Sequence, residues 1–337
     1  MVNDAAGASE RGGGPRPDAP ALSIVIPVYN EEDNIGPLYQ RLTQTLHDLG
    51  KTYEIVFVDD GSTDQSYERL RAIYDEDACV RVIRFVRNFG QQMAISAAFK
   101  YAYGKVIVLL DADLQVLPEE IPRLLDKLAE GHDIVYGVRT QRVGSLLRRF
   151  GSWGMSHLLY RVTGIDIPDS ASGFIALDRR FVDTINLFNE KSRYLSGLFA
   201  WLSYGRWGAV PVSHAARHTG DSKYSVPQLV ALTLNFVCNF TMLPLRLIFH
   251  AGLILMGLSG CALLIFACLD LLGPDGGRLA AWIIVAAVGF FSGVQLVAIG
   301  ILGEYLGRVY REVREQPAFV VKDVLERATS SGAKEGA

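Results

Sequence analysis

Two long apolar runs in the last third of the chain constrain its fold more than any other feature. Residues 248–272 and 279–302 contain only His250 and Asp270 as acidic or basic side chains. Because an α-helix rises about 1.5 Å per residue, each run is longer than the roughly 30 Å hydrocarbon core of a bilayer. We therefore predict two membrane-spanning helices, with two buried helices of a soluble bundle as the alternative.

The segments around these runs predict their orientation. A short, Gly-rich turn over residues 273–278 indicates an antiparallel hairpin, so residues 245–304 should begin and end on the same side of the membrane. Arg246 precedes the first run and three arginines follow the second, whereas the turn contains only Arg278. Basic residues are enriched on the cytoplasmic side of membrane helices. We therefore expect the rest of the chain, including a basic segment and tail over residues 305–337, to lie in the cytoplasm.

Residues 226–244 form a third apolar segment with a different pattern. Its polar side chains Gln228, Asn235 and Asn239 fall on one helical face, and Pro244 interrupts the pattern. A helix with a narrow polar stripe suits a position in the plane of the membrane interface. An extension of the first span is the alternative.

Residues 21–225 alternate between short β-branched runs and longer helical patterns. This alternation predicts an α/β domain built on a mostly parallel, Rossmann-like sheet. The predicted strands are residues 23–28, 54–58, 80–86, 106–110, 133–136, 174–177 and 209–212. Residues 1–20 are rich in Gly, Pro and Ala without an apolar period, and we expect a disordered arm there.

Composition and motif content argue against several classes of function. The formal net charge of -3 argues against a nucleic-acid partner, which usually requires a basic surface. The four cysteines have neither CxxC nor CxxH spacing, so we expect neither a disulfide framework nor a zinc site. The absence of a GxGxxG or Walker lysine pattern argues against a Rossmann dehydrogenase or a P-loop ATPase.

Two aspartates directly follow one of the predicted strands. Asp111 and Asp113 come after the run Val106–Leu110, and open α/β sheets bind ligands at the carboxyl ends of their strands. Carboxylate oxygens, completed by diphosphate oxygens and water, suit Mg²⁺ or Mn²⁺. Asp75 and Asp77 have the same spacing, but no strand precedes them. Context rather than spacing therefore identifies Asp111 and Asp113 as candidate metal ligands.

Polar turns follow the first and second predicted strands at the same edge of the sheet. The first turn contains Tyr29 and Glu31, and the second contains Asp59 and Asp60. Acidic side chains here can accept hydrogen bonds from a base or ribose, and free N–H groups at helix starts favour phosphate. Capping of the second helix by a hydroxyl side chain such as Ser62 needs no ligand, and both interpretations can hold at once.

Basic residues occur at two further places. Arg139 follows the strand that ends near Tyr136 and is predicted to face the same crevice, with a solvated arginine as the alternative. Residues 214–224, just before the membrane region, include Arg217 and Lys223. Arginine binds phosphate oxygens through two hydrogen bonds, and lysine adds a positive charge. This cluster is a candidate site for a diphosphate or a lipid headgroup, with general attraction to anionic lipid as the alternative.

Taken together, these motifs resemble glycosyltransferase family 2, and within it the polyprenyl-phosphate glycosyltransferases. The resemblance covers about residues 22–321. Its most specific strings are Ser23–Asn34, Asp59–Ser62, Asn88–Gln91, Asp111–Gln115 with Pro118–Glu119, Arg217–Ser225 and Gly303–Tyr310.

The resemblance implies a GT-A fold and the inverting transfer of a sugar from a UDP- or GDP-sugar to a polyprenyl phosphate, with undecaprenyl phosphate favoured. It implies a Mg²⁺ or Mn²⁺ ion held by Asp113 with Asp111 and Gln115 nearby, and phosphate held by Arg217 and Lys223. The residues expected to bind the nucleotide-sugar are Pro27, Tyr29, Glu31, Asp59, Asp60, Asp111, Ala112 and Arg139. A multi-pass protein of the bacterial inner membrane, in contact with membrane lipid and forming a homo-oligomer, is implied by the same resemblance.

Two segments depart from the pattern of the family. Relatives often carry Pro-Pro-Glu after the Asp-Leu-Gln, whereas this chain has Val-Leu-Pro-Glu at residues 116–119, and we expect little effect. The second segment concerns the proposed base. Many relatives carry an acidic stretch that supplies a proposed base, whereas residues 169–175 of this chain keep Asp169 with the other acids missing or shifted. The second pKa of a phosphate monoester is about 6, so the acceptor phosphate is largely dianionic at neutral pH and can attack without losing a proton. Asp169 is therefore predicted to orient the substrate, and a general base is optional.

Two other interpretations stay open. A processive polysaccharide synthase usually contains a Gln-x-x-Arg-Trp string, whereas this chain has Ser203 in the glutamine position before Arg206 and Trp207, and two spans leave little wall for a channel. A non-catalytic membrane adaptor could retain the same fold. The presence of Asp111, Asp113 and the basic cluster argues against the adaptor.

Overall fold

The structure of the protein is a computed structural model. It describes residues 19–139, 171–188, 195–203, 205–213, 277–313 and 317–327, together with seven single positions between 250 and 265. The described residues fall into two compact units. The first contains the α/β domain together with residues 317–327, and the second contains the helical residues between 250 and 313.

Eight strands in the described part of the chain form one mixed sheet, which confirms the predicted α/β class. The strands are β1 (Leu22–Val28), β2 (Tyr53–Asp59), β3 (Val80–Phe85), β4 (Val106–Leu109), β5 (Ile134–Arg139), β6 (Ala171–Asp178), β7 (Trp207–Val212) and β8 (Val321–Leu325). Their order across the sheet is β7-β5-β6-β4-β1-β2-β3-β8. Strands β4, β1, β2 and β3 are parallel neighbours, as are β5 and β7, while β6 and β8 run antiparallel to their partners. All seven predicted strands are present.

Helices cover both faces of this sheet. They are α1 (Glu32–Leu49), α2 (Ser66–Glu76), α3 (Gln91–Tyr101), α4 (Ile121–Ala129), α5 (Arg179–Leu187) and α6 (Leu195–Ser203). Helices α1, α2 and α4 pack in one apolar layer, and α3, α5 and α6 pack in the other. Because both faces are covered, all seven residues of β1 are buried, as expected for a strand that reads as a continuous apolar run.

Helix α1 illustrates how the sequence directs each helix onto the sheet. Its apolar residues Ile35, Leu38, Leu42 and Leu46 recur at three- and four-residue intervals and are buried, so they form one stripe facing the strands. The helix ends at Gly50, which adopts a left-handed conformation with φ of 61°. Glycine is favoured at this position because it has no Cβ to oppose a positive φ.

Strand β8 is the part of the domain that the sequence did not predict. It lies within the segment 305–337, which was expected to be only a basic segment and tail, and it pairs antiparallel with β3 at the edge of the sheet. Phe319, just before β8, stacks on Phe85 of β3 with ring centroids 5.0 Å apart. The chain therefore returns to the α/β domain after its long apolar helix.

A buried ion network fixes this returning segment to the core. Arg81 of β3 contacts Glu54 of β2 at 3.0 Å and Glu326, just after β8, at 2.6 Å. The Glu54 carboxylate also accepts hydrogen bonds from the Ser23 hydroxyl and the Tyr103 N–H. Burial lowers the pKa of Arg81, but Glu54, Tyr103 and Glu326 together outweigh this effect and raise the pKa above its ordinary value. The guanidinium thus remains charged between two carboxylates.

The second unit contains one long helix, α7 (Gly277–Val313). Among the described residues it is the one helix long and apolar enough to cross a membrane, and its candidate membrane-spanning stretch is Phe290–Gly307. The predicted span 279–302 lies within it, although α7 starts inside the predicted turn 273–278 and extends past the predicted end.

The other predicted membrane elements lie wholly or largely outside the described residues. The interfacial segment 226–244 lies outside the described residues. Of the predicted span 248–272, seven single positions are described, and all seven are helical. Ile254, Leu258 and Ile265 among them have exposed side chains.

Replacing Arg81 with methionine tests the ion network. We expect Arg81→Met to lower the free energy of unfolding by about 3–5 kcal/mol, because the buried Glu54 carboxylate then loses its cation. The matched control is Arg41→Met, since Arg41 forms a largely exposed pair with Glu119 that is expected to contribute no more than about 1 kcal/mol. Denaturant unfolding of the detergent-extracted variants measures both values, and equal losses would contradict the account of the network.

Candidate active site at the carboxyl edge of the parallel strands

Polar residues gather where β1, β2, β3 and β4 end. Because these strands are parallel neighbours, their carboxyl ends share one edge of the sheet, and open α/β sheets bind their ligands at this edge. The turns after β1, β2 and β4 contain the acidic residues singled out from the sequence. The loop between β3 and α3 adds the Asn88–Gln91 string.

The turn after β4 presents Asp111 and Asp113. Leu109 and Leu110 are buried, whereas both aspartates are partly exposed. The carboxylate of Asp113 accepts a hydrogen bond from the Gln115 N–H at 3.1 Å, and Leu114 between them has a positive φ of 55°. A left-handed conformation is uncommon for leucine and costs about 1 kcal/mol or more. The chain therefore keeps a strained turn at the position where the two carboxylates reach the surface.

Two residues that sequence reasoning did not connect with this turn confine the Asp111 carboxylate. The Gln91 side-chain amide, at the start of α3, donates a hydrogen bond to Asp111 Oδ1 at 2.8 Å. On β6, a Cβ added to Gly173 would lie 2.1 Å from Asp111 Oδ2. The sequence offered one signal, because Gln91 belongs to the Asn88–Gln91 string, but it assigned that string no contact.

The donor set fits a hard divalent cation. Asp111 and Asp113 offer carboxylate oxygens, and Gln115 offers an amide oxygen on the same short turn. Within the described ranges, no group of three or more His, Cys, Asp or Glu side chains could enclose a metal by itself. Mg²⁺ is usually bound by one or two carboxylates and completes its shell with water and substrate phosphates. These residues could therefore hold Mg²⁺ or Mn²⁺ together with a phosphate-bearing ligand.

The turns after β1 and β2 hold each other through reciprocal hydrogen bonds. The Asn30 N–H donates to the Ser62 hydroxyl at 3.0 Å, and the Thr63 N–H donates to Asn30 Oδ1 at 2.9 Å. The Glu31 N–H donates to the hydroxyl of Ser66 at 2.9 Å. These N–H groups precede α1 and α2, so the hydrogen bonds hold the two turns against each other just before the helices begin.

The same exchange continues into the helices themselves. The Glu32 N–H donates to Asp64 at 3.3 Å, and the Gln65 N–H donates to the Glu32 carboxylate at 2.9 Å. Of the residues predicted to bind nucleotide here, Tyr29 is exposed and Glu31 accepts a hydrogen bond from Asn34 at 2.6 Å. Tyr29 and Glu31 thus lie at the surface of a cross-linked pair of turns.

Asp59 and Asp60 are buried beneath the turn after β2. Asp59 accepts a hydrogen bond from the Ser62 N–H at 3.0 Å and pairs with Arg84 at 3.3 Å. Asp60 accepts from the N–H groups of Phe89 at 2.7 Å and Gly90 at 2.9 Å. Burial raises the pKa of Asp60 above its ordinary value, although both N–H donors act in the opposite direction. In this structure both carboxylates hold turns together, and their contact with a nucleotide stays a prediction.

Gly61 allows the turn after β2 to lie directly on the loop after β3. Its φ is 68°, and a Cβ at this position would lie 2.4 Å from the carbonyl carbon of Arg87. A backbone atom cannot swing away as a flexible side chain does. The second turn and the Asn88–Gln91 loop are therefore in backbone contact, with the Asp60 carboxylate joining them.

Three of the remaining predicted site residues are described in the structure, and three lie outside the described residues. Pro27 lies in β1 and Ala112 follows Asp111, and both are buried. Arg139 is the last residue of β5, because this strand continues three residues beyond the predicted end near Tyr136. Asp169, Arg217 and Lys223 lie outside the described residues, so their roles stay predictions.

Comparison with known proteins identifies relatives over most of the chain. Residues 23–185 match the model of a family described as glycosyl transferase family 2. An uncharacterised glycosyltransferase of Synechocystis is 39% identical over 306 residues, which are 90% of this chain and 95% of that protein. The undecaprenyl-phosphate 4-deoxy-4-formamido-L-arabinose transferase of Salmonella paratyphi B is 38% identical over 317 residues, covering 93% of this chain and 96% of that protein.

Solved structures supply more distant matches. One is glucosyl-3-phosphoglycerate synthase from Mycobacterium tuberculosis in complex with Mn²⁺, UDP-glucose and phosphoglyceric acid. It is 20% identical, has a TM-score of 0.47, and the match covers 66% of this chain and 78% of that chain. At this level the likeness supports no inference about function.

The contact at Gly61 can be separated from its backbone conformation. Gly50 has nearly the same φ, 61°, but a Cβ there would meet nothing within 4 Å. We expect Gly61→Ala to lower the free energy of unfolding by about 1–3 kcal/mol more than Gly50→Ala, because only the first adds a steric clash. Denaturant unfolding of the two variants measures the difference. Equal destabilisation would mean that the two loops separate at little cost.

Proposed function

The chain belongs to glycosyltransferase family 2, and we propose that it transfers a sugar from a UDP- or GDP-sugar to a polyprenyl phosphate at the cytoplasmic face of a membrane. The observation that carries the proposal is the position of Asp111 and Asp113 on a turn at the carboxyl edge of the parallel strands. Two carboxylates on one short turn suit a divalent cation that also binds a diphosphate. A nucleotide-sugar contains such a diphosphate.

The proposed acceptor is undecaprenyl phosphate. Support comes from the Salmonella relative, whose name specifies transfer to undecaprenyl phosphate and which matches this chain over 96% of its own length. The match extends through the apolar segments as well as the α/β domain, because it covers 93% of this chain. A membrane-embedded lipid acceptor also gives the long apolar helix α7 a function.

Asp111, Asp113 and Gln115 are proposed to hold Mg²⁺ or Mn²⁺ against the donor diphosphate. The ion would neutralise the charge that develops on the departing nucleoside diphosphate. The chain contributes by fixing the position of a ligand, because the Gln115 N–H holds the Asp113 carboxylate. A preorganised site of this kind needs little rearrangement at the moment of reaction.

The acceptor phosphate is proposed to be held by Arg217 and Lys223. Both lie shortly before the apolar segments in the sequence, where a lipid phosphate would approach. A phosphate monoester has a second pKa of about 6 and is largely dianionic at neutral pH, so it can attack the anomeric carbon directly. Attack opposite the departing diphosphate inverts that carbon. Asp169 is proposed to orient the substrate.

The path of the chain supports a hairpin of two membrane spans. Strands β7 and β8 belong to the same sheet, so the chain between them must begin and end on the same side of any membrane that it crosses. The number of crossings is then even. The candidate membrane-spanning stretch of α7, Phe290–Gly307, supplies one span, and the predicted span 248–272 supplies the second. The arginines outside the two spans favour a cytoplasmic position for the α/β domain.

The proposed activity can be tested directly. Membranes containing the protein are incubated with undecaprenyl phosphate and a panel of labelled UDP- and GDP-sugars, and the lipid is then extracted. We expect one labelled sugar to move into the lipid fraction when Mg²⁺ or Mn²⁺ is present. A protein that leaves every sugar in the water-soluble fraction under all these conditions would contradict the proposal.

Replacing one aspartate of the β4 turn tests the metal assignment. We expect Asp113→Ala to lower the transfer rate by at least about 10²–10³-fold, because a ligand of the charge-neutralising ion is lost. Thermal unfolding should be close to that of the wild type, since the side chain is partly exposed. The control is Asp75→Ala, which removes an exposed aspartate from the last turn of α2. Near-normal turnover of Asp113→Ala would refute the assignment.

Replacing Lys223 separates acceptor binding from donor binding. We expect Lys223→Ala to raise the KM for the lipid acceptor by about tenfold, the effect of losing one charge-assisted hydrogen bond. The KM for the donor should change less than about twofold in the same variant. Lys51→Ala is the control, since Lys51 is exposed and precedes β2, at the opposite end of the strands. Equal losses for donor and acceptor would move Lys223 to the diphosphate.

A further inference from the structure

The Asn88–Gln91 string has no role in the proposed function as stated so far. Its residues form the loop between β3 and α3, and the Phe89 and Gly90 N–H groups both donate to the buried Asp60 carboxylate. Gly90 then precedes the first helical residue with a φ of 95°. This conformation favours glycine, and it directs the chain into α3 from a loop that is fixed at two points.

Gln91 follows this fixed loop as the first residue of α3, and its side chain is exposed. Its amide group donates a hydrogen bond to Asp111 Oδ1 at 2.8 Å. In the sheet, β1 and β2 separate the strand before Gln91 from the strand before Asp111. The hydrogen bond therefore reaches across the carboxyl edge and joins two turns that are not neighbours.

The backbone of β6 also lies close to the Asp111 carboxylate, at Gly173. A Cβ at Gly173 would lie 2.1 Å from Oδ2 and 3.0 Å from Oδ1 of Asp111. Gly173 itself is exposed, so the absence of a side chain there leaves room for the carboxylate rather than for the core. The Gln91 amide and the nearby Gly173 backbone thus restrict the directions that this carboxylate can take.

The chemistry of glutamine suits this task. Its amide N–H₂ stabilises a carboxylate through a hydrogen bond but carries no positive charge. A lysine or arginine at the same place would neutralise the carboxylate and oppose the approach of a cation. Hydrogen-bond partners of this kind orient metal ligands, and their loss typically lowers metal affinity by about 10–100-fold.

We propose that Gln91 is a positioning residue of the donor site, which orients the Asp111 carboxylate for a divalent cation and a nucleoside diphosphate, and that Gly173 provides the space for this orientation. The inference rests on the proposed function, because it assumes that Asp111 faces such a ligand. It adds two residues that act through Asp111 rather than on the ligand itself. It also explains the Asn88–Gln91 string, whose last residue would hold the Asp111 carboxylate in position.

Adjacent glutamines provide a matched pair for the test. The side chain of Gln92 accepts a hydrogen bond from the Leu195 N–H at 3.0 Å and therefore ties α3 to the start of α6. Gln91→Ala should weaken Mn²⁺ binding by about tenfold or more while the unfolding temperature stays the same, since Gln91 is exposed. Gln92→Ala should lower the unfolding temperature and leave Mn²⁺ binding unchanged.

The measurement is a titration of free Mn²⁺ by electron paramagnetic resonance, with the full-length protein in detergent and UDP or GDP in excess. Gly173→Ala provides a second variant, because its Cβ displaces a flexible side-chain end and should weaken Mn²⁺ binding with the fold intact. Gln91→Asn should behave like Gln91→Ala, since the shorter side chain cannot reach Asp111. In all three variants, transfer activity should recover at saturating Mn²⁺.

The outcomes separate this inference from the proposed function. If the wild-type protein binds Mn²⁺ with a nucleotide and Gln91→Ala binds it equally well, the positioning role is wrong while the proposed function stands. If the wild-type protein binds no Mn²⁺ with either nucleotide, the metal-dependent function fails and the positioning role fails with it. Weaker binding in Gln91→Ala accompanied by an equal effect in Gln92→Ala would indicate a general loss of structure and would also overturn the inference.

Discussion

Backbone N–H groups that helices and turns cannot pair internally control the architecture of this protein's carboxyl edge. Such groups must find acceptors when they are taken out of water. Here Asn30, Ser62 and Glu32 supply acceptors between the first and second turns, and Asp60 supplies both acceptors for the loop after β3. Each hydrogen bond contributes only about 1 kcal/mol net. Together they hold several turns at fixed distances.

This cross-linking bears on how the edge can perform chemistry. The proposed reaction requires the charge on a departing diphosphate to be neutralised, and preorganised ligands accomplish this without rearrangement. Asp111 is held by Gln91 beside Gly173, and Asp113 is held by the Gln115 N–H. Asp59 and Asp60 lie one layer below, where their carboxylates serve the turns. Asp111 and Asp113 thus lie near the surface of this edge, whereas the buried Asp59 and Asp60 hold its turns in place.

The sequence was sufficient to predict the strands and the positions of the acidic turns, because both depend on local patterns. Buried parallel strands read as continuous apolar runs, and the residues after them necessarily reach the same edge. The contacts of Asp60, Gln91 and Gly173 could not be predicted in this way. They depend on the sheet order, which places β6 beside β4 although about 60 residues of chain separate them. Strand β8 escaped prediction for a similar reason, since its short segment is stabilised by Arg81 and Phe85 in distant β3.

The return of β8 to the sheet joins the α/β domain to the apolar region at both ends of that region. Any membrane crossing between β7 and β8 is therefore constrained by the fold of the catalytic domain, and Glu326 secures the second connection.

The proposed function depends most on the cation and diphosphate site at the β4 turn. Its most direct test is an experimental structure of the protein with Mn²⁺ and UDP or GDP, in which anomalous scattering locates the ion. We predict a peak bonded to the Asp113 carboxylate beside Asp111, and an ion bound elsewhere, or an Asp113 carboxylate turned away from the nucleotide, would contradict the account.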